Sequence, residues 1–247
     1  MIRRSIISLL VLATALLVGA VPARATSSVD VVQPDKKYAG MTYGEWSGVW
    51  WEWAAGIPAS VSPFDGTGTY CGVAQRGPVW FLGAPLSAGS PTHVTPTCAV
   101  PAGRAVMVPI INAECSTLDV FPCDTGLRAG ARFLIDHVTE RDISIDGVAI
   151  KLGPDTKPTR GPFRVQSPGK FPINWVPGNS FGIGPGSGVA VADGFYVLVR
   201  PPKPGSTHHF VFHATVNFND VAEDVCGHGA TTCVFFIDTD YTVHVSS

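Results

Sequence analysis

Tyr43, Trp46, Trp50, Trp53 and Ile57 recur at steps of three and four residues, and Pro58 follows at once. That rhythm is one face of an α-helix. Thr42 stands three residues before Glu45, so the helix opens with a capping box. Pro58 stops it, because proline lacks the donor N–H that a helix interior needs. A face of three tryptophans and a tyrosine is too large and apolar to leave in water. It therefore packs as core, across the open end of whatever the rest of the chain builds. Trp51 lies off this stripe, next to Trp50, and is expected to be an exposed aromatic.

The rest of the chain is written in strands. Pro78–Leu82 and Ala105–Ile111 read as short buried strands. Asp146-Gly147, inside Ile143–Ile150, is a two-residue hairpin turn, since both residue types tolerate positive φ. Turn signals then separate β-rich runs at 188–192, 194–200, 208–218 and 233–246. One further helix is expected over about 126–139. Asp124 or Thr125 would cap it, with Leu127, Ala131, Leu134, Ile135 and Val138 inward. The expected fold is an all-β antiparallel sandwich, immunoglobulin-like or jelly-roll-like, with one or two packed helices.

Residues 1–25 read as a leader rather than as part of this fold. Arg3 and Arg4 precede an apolar run from Ile6 to Val21, and Ala23-Arg24-Ala25 fits an A-x-A cleavage site. Cleavage would leave 26–247 as one secreted or periplasmic domain with fourteen Lys and Arg against nineteen Asp and Glu, net −5. No later run is long and apolar enough to span a bilayer. A chain this poor in clustered cations has no electrostatic grip for nucleic acid.

Export decides how Cys71, Cys98, Cys115, Cys123, Cys226 and Cys233 are read. An even set in an oxidising compartment forms disulfides, and nearest-neighbour pairing gives Cys71–Cys98, Cys115–Cys123 and Cys226–Cys233. There is no C-x-x-C pair of the kind that holds zinc.

Several catalytic spellings fail on context. Gly178-Asn-Ser180-Phe-Gly182 matches G-x-S-x-G, but the glycines and proline after it forbid the helix of a nucleophile elbow. Asp124-Thr125-Gly126 lacks the second aspartate of a shared-proton pair. Ser167-Pro-Gly-Lys170 cannot form the helical turn that would join serine to lysine. His209 and His213 lie in a strand-like run, about 13 Å apart and so too distant for one ion. His208 faces the other way from His209. A metal would need ligands from other strands, with His228 or His244 as candidates. No metal and no cofactor is expected.

What remains is a polar set among aromatics. Asp65, in Asp-Gly-Thr-Gly, and Glu114, in Ile-Asn-Ala-Glu-Cys, are the candidate acid–base pair. Trp51, Gln75 and Trp80 are the candidate ligand-binding residues. The expected function is binding of a carbohydrate or another cell-envelope component. The alternative is a glycan-directed hydrolase or lyase using Asp65 and Glu114.

Trp46–Pro58, Asp65-Gly-Thr-Gly, Cys71, the run Gln75–Leu82 and Pro109–Cys115 together resemble a family of uncharacterised secreted bacterial proteins. Ala192–Val197 and Pro204–His208 resemble the same family. The resemblance implies export and a shared β-rich fold.

Overall fold

A computed structural model describes residues 30–247. The leader-like segment 1–25 lies outside them. Among the described residues eleven strands form two sheets. The first sheet runs β1 (Val79–Phe81), β4 (Ala105–Ser116), β9 (Gly186–Val199), with β7 (Arg164–Gln166) and β8 (Phe171–Trp175) both pairing to the far edge of β9. The second runs β2 (Ser87–Ala88), β11 (Val234–Val245), β10 (Thr207–Asn217), β5 (Val138–Ile145), β6 (Val148–Ala149), and β3 (Thr97–Val100) also pairs with β11. The sheets meet face to face, with the Arg141 guanidinium of β5 4.4 Å from the centroid of the Phe195 ring on β9. The β-sandwich expected from the sequence is therefore present. Its pairings are antiparallel except for two, β1 with β4 and β3 with β11.

Helix α1 (Tyr43–Ala55) begins where the capping box puts it. Thr42 Oγ1 accepts from the Glu45 N–H at 3.2 Å, and the Thr42 N–H donates to Glu45 Oε2 at 2.7 Å. It lies on the outer face of the first sheet, and all five stripe residues are buried. Two glycines allow the close seating. A Cβ on Gly44 would fall on the Gln166 carbonyl, and one on Gly48 would press on the Phe171 ring at 3.1 Å.

The second helix is shorter than its sequence pattern. Helix α2 spans Leu127–Asp136, and Val138 is already the first residue of β5. Neither Asp124 nor Thr125 caps it. Both belong to a 3₁₀ turn, and Thr125 Oγ1 donates back to the Pro122 carbonyl at 2.7 Å. Gly126 is the N-cap, at φ 128°. A third, five-residue helix, α3 (Ala222–Cys226), lies beyond β10.

The runs 188–192 and 194–200 are one strand. The break expected at Asp193 is absent, and β9 passes straight through it. The Asp193 carboxylate is satisfied inside by Arg164 and Gln166. Gly194 sits where the Asn112 side chain leaves no room for a Cβ, at 2.6 Å. The predicted hairpin at Asp146-Gly147 does form, with φ of 53° and 80°. All three cysteine pairs are disulfides as expected from nearest neighbours: Cys71–Cys98, Cys115–Cys123 and Cys226–Cys233. No helix among the described residues is long and apolar enough to cross a membrane.

Candidate functional site

The site begins with a bulge. β4 pairs regularly with β9 up to Pro109↔Tyr196, then resumes at Ile111↔Phe195. The extra residue flips the alternation of everything after it. Asn112 and Glu114 are thereby turned to the face that carries Tyr196, which is the face α1 covers. On the other edge, β1 reaches only Ala105–Met107. The β4 edge around Ile111 and Asn112 is left to loops, and there a cavity of about 610 Å3 opens.

Its walls are aromatic. Trp50 and Trp51 come from α1, Phe64 from the segment after it, and Phe181 from the glycine-rich loop before β9. The rings interlock: Trp51–Phe181 and Phe64–Phe181 centroids are 5.2 Å apart, and Trp50–Phe64 are 5.7 Å apart. Leu86 and Phe181 stand exposed at the mouth. The polar lining includes Ser62, Asp65, Asn112 and Ser180.

The expectation that Trp51 is exposed is overturned, for it is 5% exposed. The ring lies between Trp175, at 6.4 Å, and Phe181, both supplied from more than 120 residues away. Its indole N–H differs from those of the three stripe tryptophans, but not from those of Trp80 and Trp175. Trp46, Trp50 and Trp53 each donate their N–H to a backbone carbonyl, of Tyr38, Leu82 and Val73, at 2.9–3.0 Å. The Trp51 N–H has no partner. Neither do the Asn112 amide nitrogen and the Tyr196 hydroxyl, although the Trp51 and Asn112 side chains both act on that hydroxyl. Burial also pushes the Tyr196 hydroxyl up, leaving it protonated. A buried donor without a well-aligned acceptor costs free energy, and atoms closed to water are equally closed to a ligand in the open cavity.

Asp65 lines the same cavity but spends much of its carboxylate locally. It accepts from the Thr67 N–H at 2.9 Å, the Thr67 hydroxyl at 2.7 Å and the Gly68 N–H at 3.3 Å. This is an Asx turn. Gln75 works as a backbone splint: its amide donates to the Cys71 and Phe81 carbonyls and accepts from the Phe81 N–H. Trp80 is buried in β1, and neither it nor Gln75 lines the cavity.

Glu114 is buried two residues beyond Asn112, and its Oε2 has no partner. Burial, together with the neighbouring Asp119 carboxylate, pushes its carboxyl up to about 9. Asp119 is anchored by the Ser116 N–H at 2.6 Å and hydroxyl at 2.7 Å, and its Oδ1 is likewise unpartnered. The carboxylate facing Glu114 is thus Asp119.

The other spellings resolve into structural roles. Ser180 donates to the Ser62 hydroxyl at 2.7 Å. The Ser167 hydroxyl donates to the Gly169 carbonyl and accepts from the Ala192 N–H. His208 is held between Asp146 and Ser206, each at 2.7 Å. His213 bridges Asp142 and Asp238 at 3.0 Å each, and His93 reaches the same Asp238 oxygen at 2.8 Å. Among the described residues no three His, Cys, Asp or Glu are grouped to hold a metal ion.

Asn112, Phe64 and Phe181 were not singled out from the sequence. The available signal was an aromatic residue inside the glycine-rich loop 178–188, and an asparagine two residues before a glutamate in a strand otherwise apolar. Compared with known proteins, the chain matches no family model, no curated protein and no solved structure.

Proposed function

We propose that this is a secreted, disulfide-stabilised β-sandwich that binds an extracellular ligand, a carbohydrate or another cell-envelope component, in the aromatic cavity. The observation that carries the reading is the cavity itself, walled by Trp50, Trp51, Phe64 and Phe181, with Ser62, Asp65, Asn112 and Ser180 as its polar lining and Phe181 and Leu86 exposed. Apolar sugar faces pack on aromatic rings, while hydroxyl oxygens accept from fixed donors. Ser62 and Ser180 supply hydroxyls in that lining and Asp65 an acceptor. Export is supported by the leader-like residues 1–25 and by three disulfides.

A second reading, a glycan hydrolase or lyase, is favoured by one observation: Glu114 holds its proton near neutral pH beside a second carboxylate. One experiment separates the two. Purified protein is incubated with a panel of bacterial and plant polysaccharides; pellets are assayed for retained protein and supernatants for new oligosaccharides by mass spectrometry. Retention that falls about tenfold in Phe181→Ala, which removes the exposed ring of the cavity wall, supports binding in the cavity. New fragments that vanish in Glu114→Gln or Asp65→Asn make the protein an enzyme. Neither retention nor fragments would sink both readings.

A further inference from the structure

The loop Thr117–Pro122, which follows β4, is built inside out. Its acid, Asp119, turns inward onto Ser116. Its apolar residues turn outward: Val120 is 79% exposed, and Leu118 and Phe121 are each more than a third exposed. The loop is nevertheless held. The Cys115–Cys123 disulfide closes its base, the Cys123 N–H donates to the Val120 carbonyl at 2.8 Å, and Thr117 pairs with Val189 through the Thr117 N–H at 3.0 Å and the Val189 N–H at 3.3 Å. Val189 is itself exposed. Seven large apolar side chains are exposed among the described residues, and four of them are Leu118, Val120, Phe121 and Val189. Apolar exposure here is therefore concentrated, and such concentration marks an interaction surface.

Charge beside the loop points to the partner. Arg128 and Lys170 line the same open groove, of about 940 Å3, as Thr117 and Asp119. Arg128 donates to Gln166 Oε1 at 2.9 Å and to the Ser167 carbonyl at 3.0 Å, and neither cation is ion-paired among the described residues. Asp124 is the exposed acid of that groove. A firm apolar tip with two exposed cations and one exposed acid at its base suits a sheet of anionic headgroups over hydrocarbon. We propose that the Thr117–Pro122 loop docks the protein on an anionic phospholipid surface, with Leu118, Val120 and Phe121 entering the headgroup boundary and Arg128 and Lys170 meeting phosphates. The loop reaches the cavity wall only through intermediates. Leu118 lies 3.4 Å from where a Cβ on Gly186 would stand, Gly186 pairs with Trp175, and Trp175 packs on Phe181 at 5.4 Å. The proposal stands independently of what the cavity binds.

The test is co-sedimentation of the purified protein with vesicles of phosphatidylcholine alone and of phosphatidylcholine mixed equally with phosphatidylglycerol, at low and high salt. Expected is partition onto the mixed vesicles about tenfold above the neutral ones, weakened by salt. Val120→Asp should lower it about tenfold, and Lys170→Glu should bring it toward the neutral value. Val120 is mostly in water, so its variant keeps the wild-type circular dichroism and melting temperature. Protein left in the supernatant with both vesicles, or Val120→Asp and Leu118→Asp that sediment like wild type, would overturn the assignment.

Discussion

Arg164 grips Asp193 with two parallel hydrogen bonds, Nε to Oδ1 at 2.9 Å and Nη2 to Oδ2 at 2.8 Å. Asp193 is 1% exposed. A second carboxylate, Asp136 of α2, takes Arg164 Nη1 at 2.6 Å. One guanidinium thus ties β7, β9 and α2 together. Removing one partner of a buried pair leaves the other charge uncompensated. Asp193→Ala is expected to cost about 3 kcal/mol in urea unfolding. The double variant Arg164→Leu, Asp193→Leu should recover most of it, and a double variant as unstable as the single one would refute this.

Glu114 gives the stability a pH dependence of definite sign. Its ordinary value of 4.5 rises to about 9 in the fold, so the native state holds a proton that the unfolded chain has released. The contribution is whole below the unfolded value and is lost as pH climbs from about 4.5 toward 9, by up to about 1.4 kcal/mol per pH unit. Glu114→Gln keeps the shape and has no proton to lose. Measured by denaturant unfolding at pH 5 and pH 8, the variant should gain on wild type as pH rises. A constant difference would show that Glu114 is ionised in the fold.

The seat of α1 depends on having nothing at position 44. Gly44→Ala puts a methyl group on the Gln166 carbonyl, which is backbone and cannot rotate away. Helix propensity alone would make this change favourable by about 1 kcal/mol. The clash should reverse that, giving a net destabilisation of about 1–3 kcal/mol by thermal unfolding. A more stable variant would mean that α1 lies further from the sheet.

The Cys71–Cys98 bridge closes 27 residues and joins the turn that Gln75 splints to β3. By loop-closure entropy its loss is expected to cost about 3–4 kcal/mol. Replacing both cysteines with alanine and comparing denaturation midpoints checks this. Loss of the shorter Cys226–Cys233 bridge should cost less, and the reverse order would sink the entropic account.

What was legible in the sequence was local. Thr42 and Glu45 are three residues apart, Asp146 and Gly147 adjacent, and the stripe from Tyr43 to Ile57 a matter of periodicity. Short spacings also made the disulfide partners readable. The fate of Trp51 was not, because its cover comes from Trp175 and Phe181. The break expected between 192 and 194 failed for the same reason: Arg164, 29 positions from Asp193, satisfies its carboxylate. Glu114 could be singled out, but not its neighbour, since the bulge between Pro109 and Ile111 decides which way it faces. Asp65 and Trp51 do line one cavity, while Gln75 and Trp80 shape the scaffold beside it.

β11 has consequences for the order of assembly. It pairs with β10 along its whole length, with β2 and β3 from residues 87–100, and with Val94 by a lone bridge at Thr239. The second sheet therefore has no centre until residue 245 has left the ribosome. Everything that must lie against it waits, including Cys98, which β3 carries into place beside Val243. Contacts separated by some 150 residues close slowly. A nascent chain of this design stays unlatched until β11 is available, and losing β11 would remove the middle of the sheet rather than trim its margin.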